Sequence, residues 1–259
     1  MTRTLLAALV LLVIASACAQ RNLPQRAQAF ASLPDWTGLW ESSAARLFLS
    51  PAGFLEGVDT QDEISKRVQL TGHPPLNDEW ERKYQSAAHD TAAIQAAVLS
   101  AKSCATSFPL IMDWARVFQV AVTPEETLMV FESADVRHIY TDGRSHPQKD
   151  DLWPTPLGDS VGHWEGDTLV IDTVARTPGR IGMGSNDLSE QAHFVERMRR
   201  IDKNTLENQL TIDDPLRFTR PWQMTLRYSR VTDLDRMIAW DCSHDRNPVV
   251  DGELTIAPP

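Results

Sequence analysis

Two stretches of the sequence could bring titratable side chains together for proton transfer. The first, residues 160–174, has the pattern of a hairpin with a two-residue turn, which would place His163 and Asp172 on one face as diagonal neighbours. A carboxylate beside an imidazole fixes its tautomer and raises its basicity, as a general base requires. The pattern therefore predicts an acid–base pair of His163 and Asp172. If Trp164 points to the core instead, this face is the solvated outside of the sheet.

The second stretch follows a predicted strand end and holds five polar or titratable residues within nine positions: His138, Tyr140, Asp142, Arg144 and His146. A strand end followed by a polar loop is where a barrel mouth carries functional side chains. We expect His146 and Tyr140 to move protons and Arg144 to hold a substrate anion. The alternative is turn chemistry, in which Asp142 caps the turn and Arg144 forms a surface ion pair.

These two stretches give the predicted site. Its catalytic residues are His163, Asp172, His146 and Tyr140, and its substrate-binding residues are Arg144, His138, Asp142, Glu165 and Trp164. His163 and Glu165 could share a metal ion on one strand face, but no segment has the spacing of a known zinc motif. We therefore predict a site without a metal or other cofactor.

A series of short strands would position these residues. The predicted strands are 115–122, 127–133, 136–141, 160–165, 168–174, 193–201, 206–213, 223–231 and 236–242. Strands of this length joined by tight turns predict an antiparallel sheet closed as a barrel or sandwich. Residues 60–103 differ, because apolar residues recur there at helical spacing and Asn77 is placed to cap a helix. We expect a helical insertion packed on a mainly β domain.

The amino terminus predicts export. Residues 1–17 have a charged start, an apolar middle too short to span a bilayer and a small-residue end, which is the layout of a cleaved secretory signal. The residues before Cys18 resemble a bacterial lipoprotein box, which would place a lipid on Cys18, whereas ordinary cleavage before Gln20 is the alternative. Residues 18–34 would then be a tether. The expected location is periplasmic, with contact to the membrane only through the lipid.

Composition excludes several classes of protein. The chain has 259 residues, 42% of them hydrophobic, so it can bury a sizeable core. Its 25 basic and 35 acidic residues give a formal net charge of −10, which argues against binding to nucleic acid, because phosphate contact requires a basic surface. Three cysteines are too few for a disulfide scaffold. A small molecule is the expected partner.

Two features of the sequence carry a family resemblance. Gly38 and Trp40, opening the first strand, resemble the start of lipocalin-like, or calycin, β-barrels. The runs RHIYTDGRSHP at 137–147 and GHWEGDTLVIDT at 162–173 are similar to a group of exported bacterial proteins of unassigned function. The resemblance implies one antiparallel lipocalin-like barrel over 35–259, with the helical insertion, and brings no catalytic assignment.

These inferences combine into one functional expectation. The protein is predicted to bind a small, apolar or aromatic molecule in the barrel cavity and to act on it by cofactor-independent acid–base chemistry, such as elimination, isomerisation or hydrolysis. A non-catalytic carrier or sensor of a lipophilic ligand in the cell envelope is the alternative. A structural lipoprotein with a filled barrel is a third interpretation.

The cysteine count makes a prediction of its own. With Cys18 lipidated or removed, Cys104 and Cys242 remain as an even pair in an oxidising compartment, and we expect them to form a disulfide. Thiol titration of the unreduced, denatured mature protein should then find neither of these two cysteines free. Two reactive thiols would contradict the bridge and support the alternative of two buried free cysteines.

Overall fold

The structure is a computed structural model, and the residues it describes are 25–42, 74–88, 107–114, 117–180, 187–237, 249–250 and 253–254. Its helices are α1 (25–31), α2 (Asp78–Ala88) and α3 (Leu110–Trp114), with a short 3-10 helix at Lys149–Asp151. Its longer strands are β1 (Leu39–Ser42), β2 (Phe118–Val122), β3 (Glu126–Phe131), β4 (Val136–Tyr140), β5 (Asp159–Glu165), β6 (Thr168–Val174), β9 (His193–Asp202), β10 (Thr205–Asp213) and β11 (Trp222–Val231). Two small hairpins pair β7 (Gly179–Arg180) with β8 (Asp187–Leu188) and β12 (Val249–Val250) with β13 (Glu253–Leu254).

Within the described part of the chain, nine strands close into one barrel in the order β1-β11-β10-β9-β6-β5-β4-β3-β2. This confirms the predicted mainly β, lipocalin-like barrel. The first eight predicted strands all form, with ends displaced by no more than three residues. Of the ninth, residues 236–237 are outside any strand and 238–242 lie outside the described residues.

Helical structure is seen in part of the predicted insertion. α2 lies within 60–103, and the backbone N–H of Trp80 donates to Oδ1 of Asn77 at 3.1 Å, so Asn77 caps this helix as expected. The described part of the predicted tether also contains a helix, α1. The predicted signal at 1–17, Cys18, Cys104 and Cys242 lie outside the described residues. No helix in the described ranges is long and apolar enough to cross a membrane.

The barrel closes where the first strand lies between two others. Leu39 pairs with Val231 of β11 on one side and with Gln119 of β2 on the other. Trp40 is fully buried beside this closure, and its indole N–H donates to the carbonyl of Trp36 at 3.0 Å. The two-residue motif that opens the strand therefore marks the closing edge of the barrel.

One strand pair departs from the antiparallel prediction. β4 and β5 run parallel and share a single residue pair, Tyr140 with Val161. The connection between them, residues 141–158, is long enough to return to the same end of the barrel before β5 begins, which a tight turn cannot do. β4 and β5 therefore form a seam with little backbone pairing, in contrast to the seven residue pairs of β5 with β6 and the six of β6 with β9.

A charged pair is buried inside the barrel. The guanidinium of Arg137, on β4, donates to both carboxylate oxygens of Glu196, on β9, and both side chains are at most 1% exposed. Arg137 also donates to the hydroxyls of Ser160 and Thr173 at 3.3 and 3.0 Å, and Asn208 donates to Glu196 at 2.7 Å. These hydrogen bonds offset most of the cost of burying the pair, although Nε of Arg137 has no hydrogen-bond partner among the described residues, and the surrounding interior is mainly apolar.

The buried pair generates a stability prediction. Glu196→Gln leaves the Arg137 guanidinium buried without a countercharge, and such a loss typically costs about 3–5 kcal/mol of unfolding free energy. Urea titration would measure it. The control is Glu165→Gln, which removes an exposed partner of Arg197 and should have a far smaller effect. Equal destabilisation by the two variants would contradict this account.

Candidate functional site

The hairpin of β5 and β6 has the predicted register. Glu165 pairs with Thr168, Trp164 with Leu169, His163 with Val170 and Val161 with Asp172. Gly166 begins the turn with φ of +61°, as the first position of a type II′ turn requires. The outer face of this hairpin carries His163, Glu165 and Asp172, whereas Leu169, Ile171 and Thr173 are buried. The alternative in which this face is the outside of the sheet is therefore correct.

The predicted pairing of His163 with Asp172 is wrong. Nε2 of His163 lies 3.2 Å from Oε1 of Glu165, on the same strand. The two carboxylate oxygens of Asp172 are instead each 2.9 Å from a different imidazole, Nε2 of His146 and Nε2 of His193. Asp172 is thus engaged from the loop on one side and from β9 on the other, and His163 is bonded within its own strand.

Four side chains form one continuous hydrogen-bonded chain on the outer surface. Nδ1 of His146 lies 2.5 Å from Oδ1 of Asp159, and the contacts of Asp172 continue the series. The order is Asp159, His146, Asp172, His193, which we call the His–Asp chain. His146 and Asp159 are about a quarter exposed, and Asp172 and His193 are 42% exposed. Proton donors and acceptors therefore alternate at a half-buried surface.

The paired strands determine where these groups stand. Asp159 opens β5, Asp172 lies on β6 and His193 opens β9, so the three project outward from neighbouring strands. His146 reaches them from the 141–158 connection. That connection ends at Gly158, which has φ of +74° and where a Cβ would lie 2.8 Å from both Cγ2 of Thr173 and the carbonyl of Val174. Only glycine lets the connection approach β6 this closely.

The electrostatics of the chain follow from its contacts. The hydrogen bond from His193, and then that from His146, holds the pKa of Asp172 below its usual value, against the opposing effect of partial burial. The hydrogen bond to Asp172 raises the pKa of His193 above its usual value, although burial opposes this. A neutral imidazole can donate from one nitrogen only. With both of its carboxyl partners ionised, only the imidazolium form of His146 can therefore donate to both.

A cleft adjoins the chain at the β4–β5 seam. It has a volume of about 330 Å³, and Asp159 lies in its wall. The remaining residues of its lining are Asp135, Val136, Arg137, His138, Tyr140, Thr155, Pro156, Leu157, Gly158 and Ser160. The cleft exists because β4 and β5 share a single residue pair, so the first residues of the two strands are not joined by a backbone ladder. The His–Asp chain thus begins in the wall of a cavity.

The second predicted cluster divides into separate contacts. His138 and Tyr140 line the cleft with their rings stacked at a centroid distance of 6.1 Å, and Nδ1 of His138 lies 2.9 Å from Oε2 of Glu126. Arg144 does not stand free to hold an anion, because Asp142 accepts from its Nε at 2.9 Å and from its terminal nitrogen at 2.6 Å. Asp142 and Arg144 therefore show the turn chemistry given as the alternative.

The two remaining predicted substrate contacts lie away from the cleft. Glu165 accepts a hydrogen bond from Arg197 at 2.7 Å, which holds the pKa of Glu165 below its usual value. The ring of Trp164 packs edge-on against that of Trp36, with centroids 5.2 Å apart, as part of the barrel core. Neither residue lines the cleft. In the described part of the chain, no group of three or more His, Cys, Asp or Glu side chains is arranged to hold a metal ion.

The sequence analysis did not identify two members of the His–Asp chain, Asp159 and His193. The alternation of β9, with Phe194 and Glu196 buried, places His193 outward, so its face was readable. The contact of His193 with Asp172 could not be predicted, because β6 pairs with β9 and the β7–β8 hairpin lies between them in the sequence. Asp159 stands next to the predicted start of β5 and carries no distinguishing local signal.

Comparisons with protein-family models, with curated proteins and with solved structures find no match to this chain.

The shifted pKa values predict a pH window for stability. Asp172 adds to the free energy of unfolding at pH values above its usual pKa of 3.8. This contribution is lost as the pH falls through the lowered pKa that Asp172 has in the fold. His193 adds its full contribution to the free energy of unfolding at pH values below its usual pKa of 6.5. This contribution is lost as the pH rises through the raised pKa that His193 has in the fold. The unfolding free energy removed by Asp172→Asn should therefore be largest between these two pH values.

Urea titration of wild type and variant across this pH range provides the measurement. Asp167→Asn, which changes an exposed carboxyl at the tip of the same hairpin, is the control and should show no such window. In NMR titration, the midpoint of His193 should fall on Asp172→Asn. An unchanged midpoint would contradict the assigned contact.

Proposed function

We propose that this protein is an exported barrel that binds a small, largely apolar or aromatic molecule in the cleft at the β4–β5 seam. We propose further that it acts on this molecule by cofactor-independent acid–base chemistry. The observation that carries the proposal is Asp159, which lines the cleft and is hydrogen-bonded to His146. A titratable group facing a cavity, with a second group behind it that can share its proton, is the arrangement that proton transfer to a bound molecule requires.

The wall of the barrel is better suited to this role than its interior. The inward-facing side chains of the described strands form one buried cluster that contains Trp40, Phe118, Met129 and Phe194. The cleft has apolar walls at Val136 and Leu157 with polar groups beside them, which is the composition of a small-molecule site. We therefore propose the cleft at the β4–β5 seam as the ligand site, in place of the cavity expected in the barrel interior.

The roles follow from position. Asp159 would accept or deliver the proton at the ligand, and His146 would hold Asp159 in place and stabilise its ionised form. Asp172 would act as a positioning residue, because it binds the other nitrogen of His146. Tyr140 and His138 would contact the ligand from the opposite wall. His163, exposed and bonded to Glu165, has no part in this arrangement.

Export rests on the amino-terminal sequence. The signal at 1–17 and the lipoprotein-like residues before Cys18 support a periplasmic protein anchored in the envelope by a lipid. Membership of the group of exported proteins with the 137–147 and 162–173 signature belongs to the same proposal.

A non-catalytic carrier is the second candidate, and one observation favours it. Both nitrogens of His146 and both oxygens of Asp172 are already hydrogen-bonded, so the middle of the chain could serve only to hold the 141–158 connection against the barrel. A carrier would bind the ligand in the cleft without changing it.

A generic proton-abstraction probe distinguishes the two candidates. 5-Nitrobenzisoxazole is a small aromatic molecule that loses one C–H proton to a base and opens to a coloured nitrophenolate as its N–O bond breaks. If Asp159 is a base in the cleft, the protein should accelerate this reaction, and Asp159→Asn should lower kcat/KM by about 10²-fold. Absorbance of the product measures the rate.

The matched control is His163→Asn, which removes an exposed imidazole from the same strand and should leave the rate unchanged. His146→Asn should lower the rate as well, since it removes the partner of Asp159. Binding of the probe at the cleft without any acceleration over buffer would reject the catalytic proposal and favour the carrier.

A further inference from the structure

The lining of the cleft contains two acidic residues, and the basic residues of the same lining are paired with other acids. Asp135 and Asp159 both line it. Asp135 accepts a hydrogen bond from the hydroxyl of Ser133 at 2.7 Å, which is a neutral donor. Asp159 faces His146, whose imidazole also contacts Asp172, and Asp172 is in turn paired with His193. Two acidic residues therefore belong to the lining of a cleft of about 330 Å³, and among the described contacts Asp159 has a basic partner, His146, whereas Asp135 has none.

The cations near the cleft are already engaged. Arg137 reaches the lining from the interior, where Glu196 neutralises it and both are buried. Arg144 is bound to Asp142, two residues away. His138, the remaining basic group of the lining, lies against the carboxylate of Glu126. Among the described residues that line the cleft, an anionic ligand would meet no basic side chain without an acidic partner, and the carboxylates of the wall would repel it.

The aromatic residue of the wall is already in contact with a cation. The ring of Tyr140 already has a cation against it, since the guanidinium carbon of Arg144 lies 4.1 Å from the ring centroid. Such a contact reflects the negative electrostatic potential of an aromatic face. Val136, Pro156 and Leu157 supply apolar surface beside it. The lining thus combines apolar surface with the carboxylates of Asp135 and Asp159.

We infer that the ligand of this cleft is a small organic cation, a protonated amine on an apolar or aromatic body. The ammonium group would be placed between the carboxylates of Asp135 and Asp159, and the apolar body would contact Val136 and Leu157. This inference rests on the cleft being the ligand site of the proposed function and names the class of its ligand. It also replaces the substrate anion that the sequence suggested for Arg144.

Three probes of equal size and different charge test the inference: benzylammonium, benzyl alcohol and benzoate. Binding is followed by NMR, from the backbone amide shifts of residues 135–140 and 155–160 in the full mature protein. Benzylammonium should bind most tightly and benzoate most weakly. Added salt should weaken the binding of benzylammonium and leave that of benzyl alcohol unchanged, because only the charged probe is screened.

A substitution assigns the effect to the wall. Asp135→Asn should weaken the binding of benzylammonium by up to about fivefold, which is the effect of one exposed ion pair. It should leave the affinity for benzyl alcohol unchanged. Asp167→Asn removes an equal charge at a turn outside the cleft and is the matched control. An amine that binds no better than the alcohol, or that is insensitive to Asp135→Asn, would overturn the inference.

The outcomes separate this inference from the proposal beneath it. Binding of benzyl alcohol at the cleft with no advantage for the amine would reject the ligand class and keep the ligand site. Shifts from none of the three probes at these residues would reject both the ligand class and the cleft as a ligand site.

Discussion

The structure depends on one buried interaction, the contact of Arg137 with Glu196. From its place on β4, Arg137 donates to Ser160 on β5, Thr173 on β6 and Glu196 on β9. All three contacts form only when β5, β6 and β9 pair in this register. Because side chains alternate along a strand, a slip by one residue would turn each of these polar groups out and an apolar neighbour in. Burial of the charge makes such a slip costly.

The same register produces the outer surface. Asp159 and Asp172 each stand next in sequence to an internal partner of Arg137, and His193 lies three residues before Glu196, so all three face outward. The His–Asp chain and the internal pair are thus two faces of one strand alignment. The buried Arg137–Glu196 pair thus helps to position the His–Asp chain on the outer surface, although no hydrogen bond described here joins the two sets of side chains.

The sequence was informative where local rules decide the outcome. The turn at Gly166 set the register of β5 and β6 residue by residue, and Asn77 marked the start of α2, because both depend on neighbours in the chain. The parallel return to β5 and the pairing of β6 with β9 depend on contacts between distant segments. Asp172 was therefore paired with His163 in the sequence, whereas its partners in the structure are His146 and His193. His163 has the better local pattern, and His193 has the better place in the barrel.

The β4–β5 seam has a consequence for how long the folded protein survives. A single residue pair joins these strands, fewer than between any other neighbouring strands of the described barrel, and the cleft lies at this seam. A molecule held there would contact both strands and add cohesion that the backbone does not supply, and any ligand that binds only the folded state stabilises it by mass action. Resistance to proteolysis would then follow the supply of ligand, and the abundance of the protein would depend on how much of that molecule surrounds it.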